Sequence, residues 1–212
     1  MKIHFHNVLP EGIPEPQRPG TIWNCDSGID TAKHHIIHGA SGRGKSTMLH
    51  LIFGIRREYL GKVEINGEDI SKFSNHKWAE VRQNQISMVF QDLRLHGELT
   101  AFEHLQLKAT LSPPEPREKL ESHAQRLGIA EHLNKPCKIL SYGQQQRVAL
   151  VRALLQPFDL LLLDEPFSHL DPPNVESCME LILEVCSEHG AGILLATLDS
   201  DYGLLHDSEI NV

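Results

Sequence analysis

Gly39-Ala40-Ser41-Gly42-Arg43-Gly44-Lys45-Ser46-Thr47 has the form GxxxxGK[ST]. It lies between a short apolar stretch, His35 to His38, that reads as a strand, and a stretch from Gly44 to about Phe53 that reads as a helix. Strand, glycine-rich loop and helix in that order are the context this pattern needs to cradle phosphate. Gly39, Gly42 and Gly44 let the backbone curl so that successive N–H groups face an anion. The helix start adds roughly half a unit of positive charge. Lys45 supplies a full charge for the β and γ phosphates of a nucleotide, and the Ser46 hydroxyl is a hard oxygen ligand suited to Mg²⁺. The expected cradle therefore comprises Gly39, Ala40, Ser41, Gly42, Arg43, Gly44, Lys45, Ser46 and Thr47.

Further along, Asp159-Leu160-Leu161-Leu162-Leu163 leads into Asp164-Glu165-Pro166. A fully apolar strand ending in two carboxylates places them at the sheet edge where α/β folds bind ligands. A DE pair after a strand taken alone reads as a solvated strand end. Coupled to the phosphate loop it reads as Asp164 holding Mg²⁺ through a water and Glu165 polarising an attacking water.

The rest of the chain alternates strand and helix patterns, which predicts an α/β fold with a mostly parallel sheet. Strands are expected at 2–8, 21–25, 86–90, in GILLAT and at 209–212. EGIPEPQRPG forms the first connection, and GKVEINGED is a hairpin turning at Asn66-Gly67. Helices are expected at about 142–156 and 173–188, the latter with Val175, Met179, Ile182 and Cys186 on one face. Residues 92 to about 140 carry helical patterns around a proline cluster, SPPEP, and read as a helical insertion.

The 212 residues fit one domain, and the net charge of −8 argues against broad nucleic-acid binding. The densest apolar run, Leu160–Leu163, is four residues, whereas a spanning helix needs roughly 20. The N-terminus lacks a signal-peptide core. Four cysteines without CxxC spacing read as reduced thiols of a cytosolic protein. The 14 histidines, His4 and His6 on one strand face among them, read as exposed strand and loop residues rather than a metal site. Arg56-Arg57-Glu58 reads as a solvated helix end and Trp78 as packing.

Leu140-Ser141-Tyr142-Gly143-Gln144-Gln145-Gln146-Arg147 resembles the LSGGQ signature of ATP-binding-cassette ATPases. With the phosphate loop, Gln91 after ISMVF, the DE pair and Ser168-His169-Leu170-Asp171, the resemblance covers nearly the whole chain in the family's order. It implies the fold of that family: a P-loop core formed by 1–91 and 141–212, an antiparallel β edge, and a helical subdomain at about 92–140. It implies an ATPase using ATP and Mg²⁺, with Glu165, Lys45 and Gln91 catalytic and Ser46, Gln91 and Asp164 around the metal. It implies that Ser141, Gly143 and Gln144 reach the γ-phosphate held by a second copy or a paralogous subunit, head to tail, and that Asp171 makes a cross-dimer contact. A separate membrane permease, contacted through Gln91, would hold the chain at the cytoplasmic face of the membrane. FQDLRLHGELTAFEHLQL is similar to the ATPases of lipoprotein release and cell division.

Local readings stand beside these. Ser141 with Gln144 has the form of a capping box, and Asp171 before Pro172 and Pro173 that of a helix N-cap. Tyr142 replaces the usual glycine, and its side chain either crowds the nucleotide or faces away. Leu198 sits where the family has a γ-phosphate histidine, with His206 the nearest substitute; slow hydrolysis, or a nucleotide-gated regulatory module, is the implied consequence. EGIPEPQRPG offers no aromatic to stack on adenine, and Trp23 reads as core. Cassettes that act on ribosomes or DNA usually pair two units or carry coiled-coil insertions, and neither occurs here.

Overall fold

The computed structural model describes residues 1–13, 20–110, 117–198 and 200–212. Two sheets organise them. The first is antiparallel, in the order β2 (Asp26–Asp30), β1 (Lys2–Pro10), β4 (Tyr59–Ile65), β5 (Glu68–Asp69). The second is parallel throughout, in the order β6 (Ile86–Val89), β7 (Leu160–Asp164), β8 (Gly192–Ala196), β3 (His34–His38), β9 (Ser208–Asn211). The helices are α1 (Lys45–Ile52), α2 (Asn75–Asn84), α3 (Ala101–Ala109), α4 (Arg117–Arg126), α5 (Tyr142–Leu154) and α6 (Pro172–His189).

The parallel sheet forms because β6, β7 and β8 are buried on both faces, and their sequences are correspondingly apolar apart from Ser87, which donates to the Ala153 carbonyl at 2.6 Å, and Asp164 at the tip of β7. Its register sets the position of everything chemical. Asp164 pairs with Ala196, Ala196 with Ile37, and Leu163 with Val89. The carboxyl ends of four strands therefore share one edge, and the segments that follow them (Gly39, Gln91, Glu165, Leu198) leave from it together. Leu161 and Leu163 face one apolar cluster, with α5 and α6; Leu160 and Leu162 face the other, with α1 and the antiparallel sheet.

Several expectations shift. Residues 21–25 are not a strand. Ile22 and Trp23 are buried in the core, Asn24 turns the chain with φ +56°, and the strand is the polar DSGID that follows. Backbone register fixes that edge strand, from Lys2 opposite Asp30 to His6 opposite Asp26, so its sequence carries little apolar signal. The hairpin turn is at Asn66-Gly67 with φ of +53° and +80°, the pairing of signs a two-residue type I′ turn requires. Helix α2 was not anticipated; Ser74 caps it, accepting from the Lys77 amide at 3.1 Å, and it buries Trp78 and Val81. His35 is buried between Ser208 Oγ (2.7 Å) and the Asp30 carbonyl (2.8 Å), not exposed.

Between β6 and α5 the described residues hold α3, α4 and two short 3-10 turns. Thr100 and Glu103 form a reciprocal capping box on α3. The stretch folds back on itself where the Phe102 amide donates to the Leu133 carbonyl at 2.8 Å. SPPEP and residues 14–19 of EGIPEPQRPG lie outside the described residues.

Leu162 is fully buried between β6 and β8. Truncating it to alanine is expected to lower unfolding free energy by about 2–5 kcal/mol in a denaturant titration. A loss below about 1 kcal/mol would mean that the central strand is not the packed layer described.

Candidate nucleotide site

The phosphate loop leaves β3 and turns into α1 with Gly42 at φ +76° and Gly44 at φ +118°. Gly44 has two reasons to be glycine. Its φ is disfavoured for any side chain, and a Cβ there would stand 2.7 Å from Ile13 Cδ1 and 3.2 Å from the Trp23 ring. Trp23 thus lies buried under the loop. The Arg43 amide closes a turn onto the Ala40 carbonyl at 3.2 Å, so this one donor is used inside the loop. The Lys45 ammonium donates to the Gly39 carbonyl at 2.7 Å and the Ala40 carbonyl at 3.4 Å.

Ser46 and Asp164 are far apart in sequence and meet in space: Ser46 Oγ donates to Asp164 Oδ1 at 3.0 Å. Beside them, Gln91 Nε2 donates to Glu165 Oε2 at 3.4 Å. Glu165 sits at φ +46°, a conformation that is strained for a residue with a side chain, with its amide donating to Ala196 at 3.0 Å. Ser41, Gly42, Gly44, Lys45, Ser46, Thr47, Gln91 and Glu165 line one small cleft of about 150 Å³. A larger hollow of about 490 Å³ lies by the antiparallel sheet, between Lys62, Asp69 and Lys77. Volume does not mark the site; converging charge and backbone donors do.

Arg56 corrects the solvated-end reading. It is half-buried, donating to the Thr47 hydroxyl at 3.2 Å and to the Glu11 carbonyl. It therefore pins the connection after β1 onto the base of the phosphate loop.

Ser141, Gly143, Gln144 and Asp171 do not line this cleft. Ser141 and Gln144 form a reciprocal capping box at the start of α5 (3.3 and 2.9 Å). Asp171 caps α6 by accepting from the Asn174 amide at 3.1 Å. A Cβ on Gly143 would stand 3.1 Å from the His169 carbonyl, so the signature helix and the segment after Glu165 touch backbone to backbone. Tyr142 faces away from the helix end: its hydroxyl donates to the Gln91 carbonyl at 3.0 Å and its ring lies on His169 at 4.3 Å.

The sequence profile of the ABC transporter family matches residues 23–168. This chain belongs to the ABC transporter family. Its fold is that of the ATP-binding cassette ATPases. The ABC transporter ATP-binding protein YtrE of Bacillus subtilis (strain 168) is 33% identical over 192 residues, covering 88% of this chain and 83% of that protein. The thiamine import ATP-binding protein ThiQ of Histophilus somni (strain 129Pt) is 37% identical, covering 84% of this chain and 82% of that protein. The lipoprotein-releasing system ATP-binding protein LolD of Saccharophagus degradans (strain 2-40 / ATCC 43961 / DSM 17024) is 30% identical, covering 91% and 86%. Among solved structures, the dimeric bacterial ABC transporter cassette MJ0796 superposes with a TM-score of 0.83 at 26% identity, over 99% of this chain and 94% of that one. The post-hydrolysis MJ0796 dimer bound to ADP and Pi gives 0.85 at 25% identity, over 100% and 94%.

Two residues singled out by the sequence, Leu198 and His206, stand outside the cleft. Leu198, two residues beyond β8, is 46% exposed and offers no hydrogen bond. His206 is engaged with the Leu204 carbonyl (3.1 Å) and Glu209 (3.3 Å), and no histidine is among the residues lining the cleft.

Asp164 is 1% exposed, and burial pushes its carboxyl up to about 6; the Ser46 hydrogen bond and Lys45 oppose this, and the charge of Glu165 adds to it. The folded state thus holds this proton to higher pH than the unfolded chain. Its contribution to stability is present below about pH 4 and lost as pH rises through about 6. In nucleotide-free protein, Asp164→Asn is expected to raise stability at pH 8 by about 2–3 kcal/mol and to flatten the decline between pH 4 and 6. Chemical unfolding at several pH values reads this directly; an unchanged pH slope would contradict it.

Proposed function

We propose that this cassette binds Mg·ATP in the cleft around Lys45, hydrolyses it, and drives a separate membrane permease while paired head to tail with a second copy or a paralogous subunit. The observation that carries the reading is the Ser46–Asp164 contact, which joins the phosphate loop to the strand tip beside Glu165. A hydroxyl and a buried carboxylate, with Gln91 beside them, are oxygen donors of the kind a hard dication takes. Mg²⁺ would be held by Ser46, Asp164 and Gln91, and would supply charge neutralisation to the β and γ phosphates. Lys45 and the loop amides of residues 39–47, that of Arg43 excepted, bind the phosphates. Glu165, steadied by Gln91, orients the attacking water and takes its proton as the γ-phosphoryl group departs.

The head-to-tail arrangement is supported by the position of Ser141. Its capped helix end is an anion-binding terminus outside the cleft of its own chain, suited to closing on a nucleotide held by another. Asp171 follows directly on His169 and Leu170, which Gly143 approaches. Loss of the γ-phosphate would let the two chains part, which makes closure the step that does work on a permease. Among the described residues no helix is long and apolar enough to cross a membrane, so the location at the cytoplasmic face depends on that partner.

Leu198 favours slow turnover. A missing charge-assisted contact to the transferring group costs a few kcal/mol, roughly 10² in rate. Glu165→Gln is expected to stop hydrolysis while retaining ATP binding, and Lys45→Ala to weaken ATP binding by at least tenfold in equilibrium titration. Undiminished affinity in the lysine variant would overturn the site. Leu198→His is expected to speed single-turnover hydrolysis at least tenfold; an unaltered rate would remove the leucine as the cause of slowness. Negligible single turnover by the unaltered chain would favour a regulatory, nucleotide-gated module instead.

A further inference from the structure

Three segments around the cleft are tied together by a side chain that phosphate binding does not use. Tyr142 opens α5, is 40% exposed, and reaches the Gln91 carbonyl with its hydroxyl at 3.0 Å. Gln91 in turn donates to Glu165 Oε2 at 3.4 Å. On the other side the Tyr142 ring lies 4.3 Å from His169, inclined at 58°, and His169 Nδ1 is 2.9 Å from Ser168 Oγ. Gln146, on the next turn of α5, donates to the same Ser168 Oγ at 3.2 Å. The contacts close a ring: start of α5, segment after β6, segment after β7, and back to α5.

The far end of the same helix grips the same segment. Arg152 donates to the Leu93 carbonyl at 2.6 Å and the Arg94 carbonyl at 2.8 Å. Leu93 and Arg94 have φ of +58° and +48°, conformations that cost energy and persist where the surroundings impose them. Helix α5 thus holds the backbone from Gln91 to Arg94 at both ends, with Tyr142 at the end nearest Glu165.

We propose that Tyr142 is a positioning residue for hydrolysis: through the Gln91 carbonyl it fixes where the Gln91 side chain meets Glu165. The proposal rests on the ATPase reading above. A glycine at this position has neither the hydroxyl nor the ring, so a cassette with glycine here lacks this tether. The start of α5 is also the end argued above to seal the second chain's nucleotide. Tyr142 therefore links, within one protomer, the half-site that seals to the half-site that hydrolyses.

The test uses the full chain, with Tyr142→Phe keeping the ring contact and removing only the hydroxyl. Steady-state ATP hydrolysis is expected to fall about three- to tenfold in kcat with KM unchanged, as befits one neutral hydrogen bond acting on geometry. In a Gln91→Ala background, where the relay to Glu165 is already cut, the same change is expected to cost nothing further. Without nucleotide, the Leu93 and Arg94 amides are expected to exchange hydrogen faster in Tyr142→Phe than in the unaltered chain. An unchanged kcat, or an equal loss in both backgrounds, overturns the positioning role. An unaltered chain that fails to hydrolyse ATP overturns the ATPase reading, and with it any role in hydrolysis. Unchanged exchange at Leu93 and Arg94 overturns the tether whether or not ATP is hydrolysed.

Discussion

A carboxylate at the tip of an apolar strand buried on both faces needs a partner, and Asp164 finds it in the Ser46 hydroxyl at 3.0 Å. The contact joins residues 118 positions apart. It forms only if β3 and β7 end at the same level, and the register of the parallel sheet ensures that they do. The remaining site geometry depends on this alignment. The phosphate loop, Gln91, Glu165 and Leu198 all leave one sheet edge, so a cleft of modest volume gathers the Lys45 ammonium, the Glu165 carboxylate and a helix start, with Asp164 buried behind Ser46.

The same arrangement sets two costs against each other. Burial raises the Asp164 carboxyl to about 6 and the chain holds Glu165 in a left-handed conformation. Both are destabilising features, and they lie side by side where a dication and a phosphate are proposed to bind. Binding would then restore what folding gives up, so that the loaded state gains more than the empty one. Under the proposed function, Leu198 at the same sheet edge would work against turnover, so that grip on nucleotide and rate of hydrolysis need not follow one another.

Much of this was legible in the residues. The phosphate loop was readable because its chemistry tolerates few alternatives. The β6, β7 and β8 strands were readable because burial on both faces leaves dense apolar runs, interrupted in β6 by Ser87 alone. What escaped had little local signal. DSGID pairs through backbone register, so the apolar TIW ahead of it drew the strand reading although Ile22 and Trp23 serve the core. Helix α2 has a short apolar face and a polar surface. Arg56 looks like a solvated helix end until the fold brings Thr47 and Glu11 to it. The direction of Tyr142 and the grip of Arg152 on Leu93 and Arg94 are long-range contacts, with sequence separations of 51 to 59 residues. Charge and spacing reveal residues that meet a ligand; they are silent about residues that hold those residues in place.

The central claim is that one chain carries two complementary halves of a nucleotide site, joined only when two chains meet. Sedimentation of the Glu165→Gln protein with and without Mg·ATP tests it most directly. The account predicts a monomer without nucleotide and a dimer with it, and a monomer in both conditions when Ser141→Arg is added. A Glu165→Gln protein that binds ATP and stays monomeric, or a dimer indifferent to the Ser141 change, would contradict it.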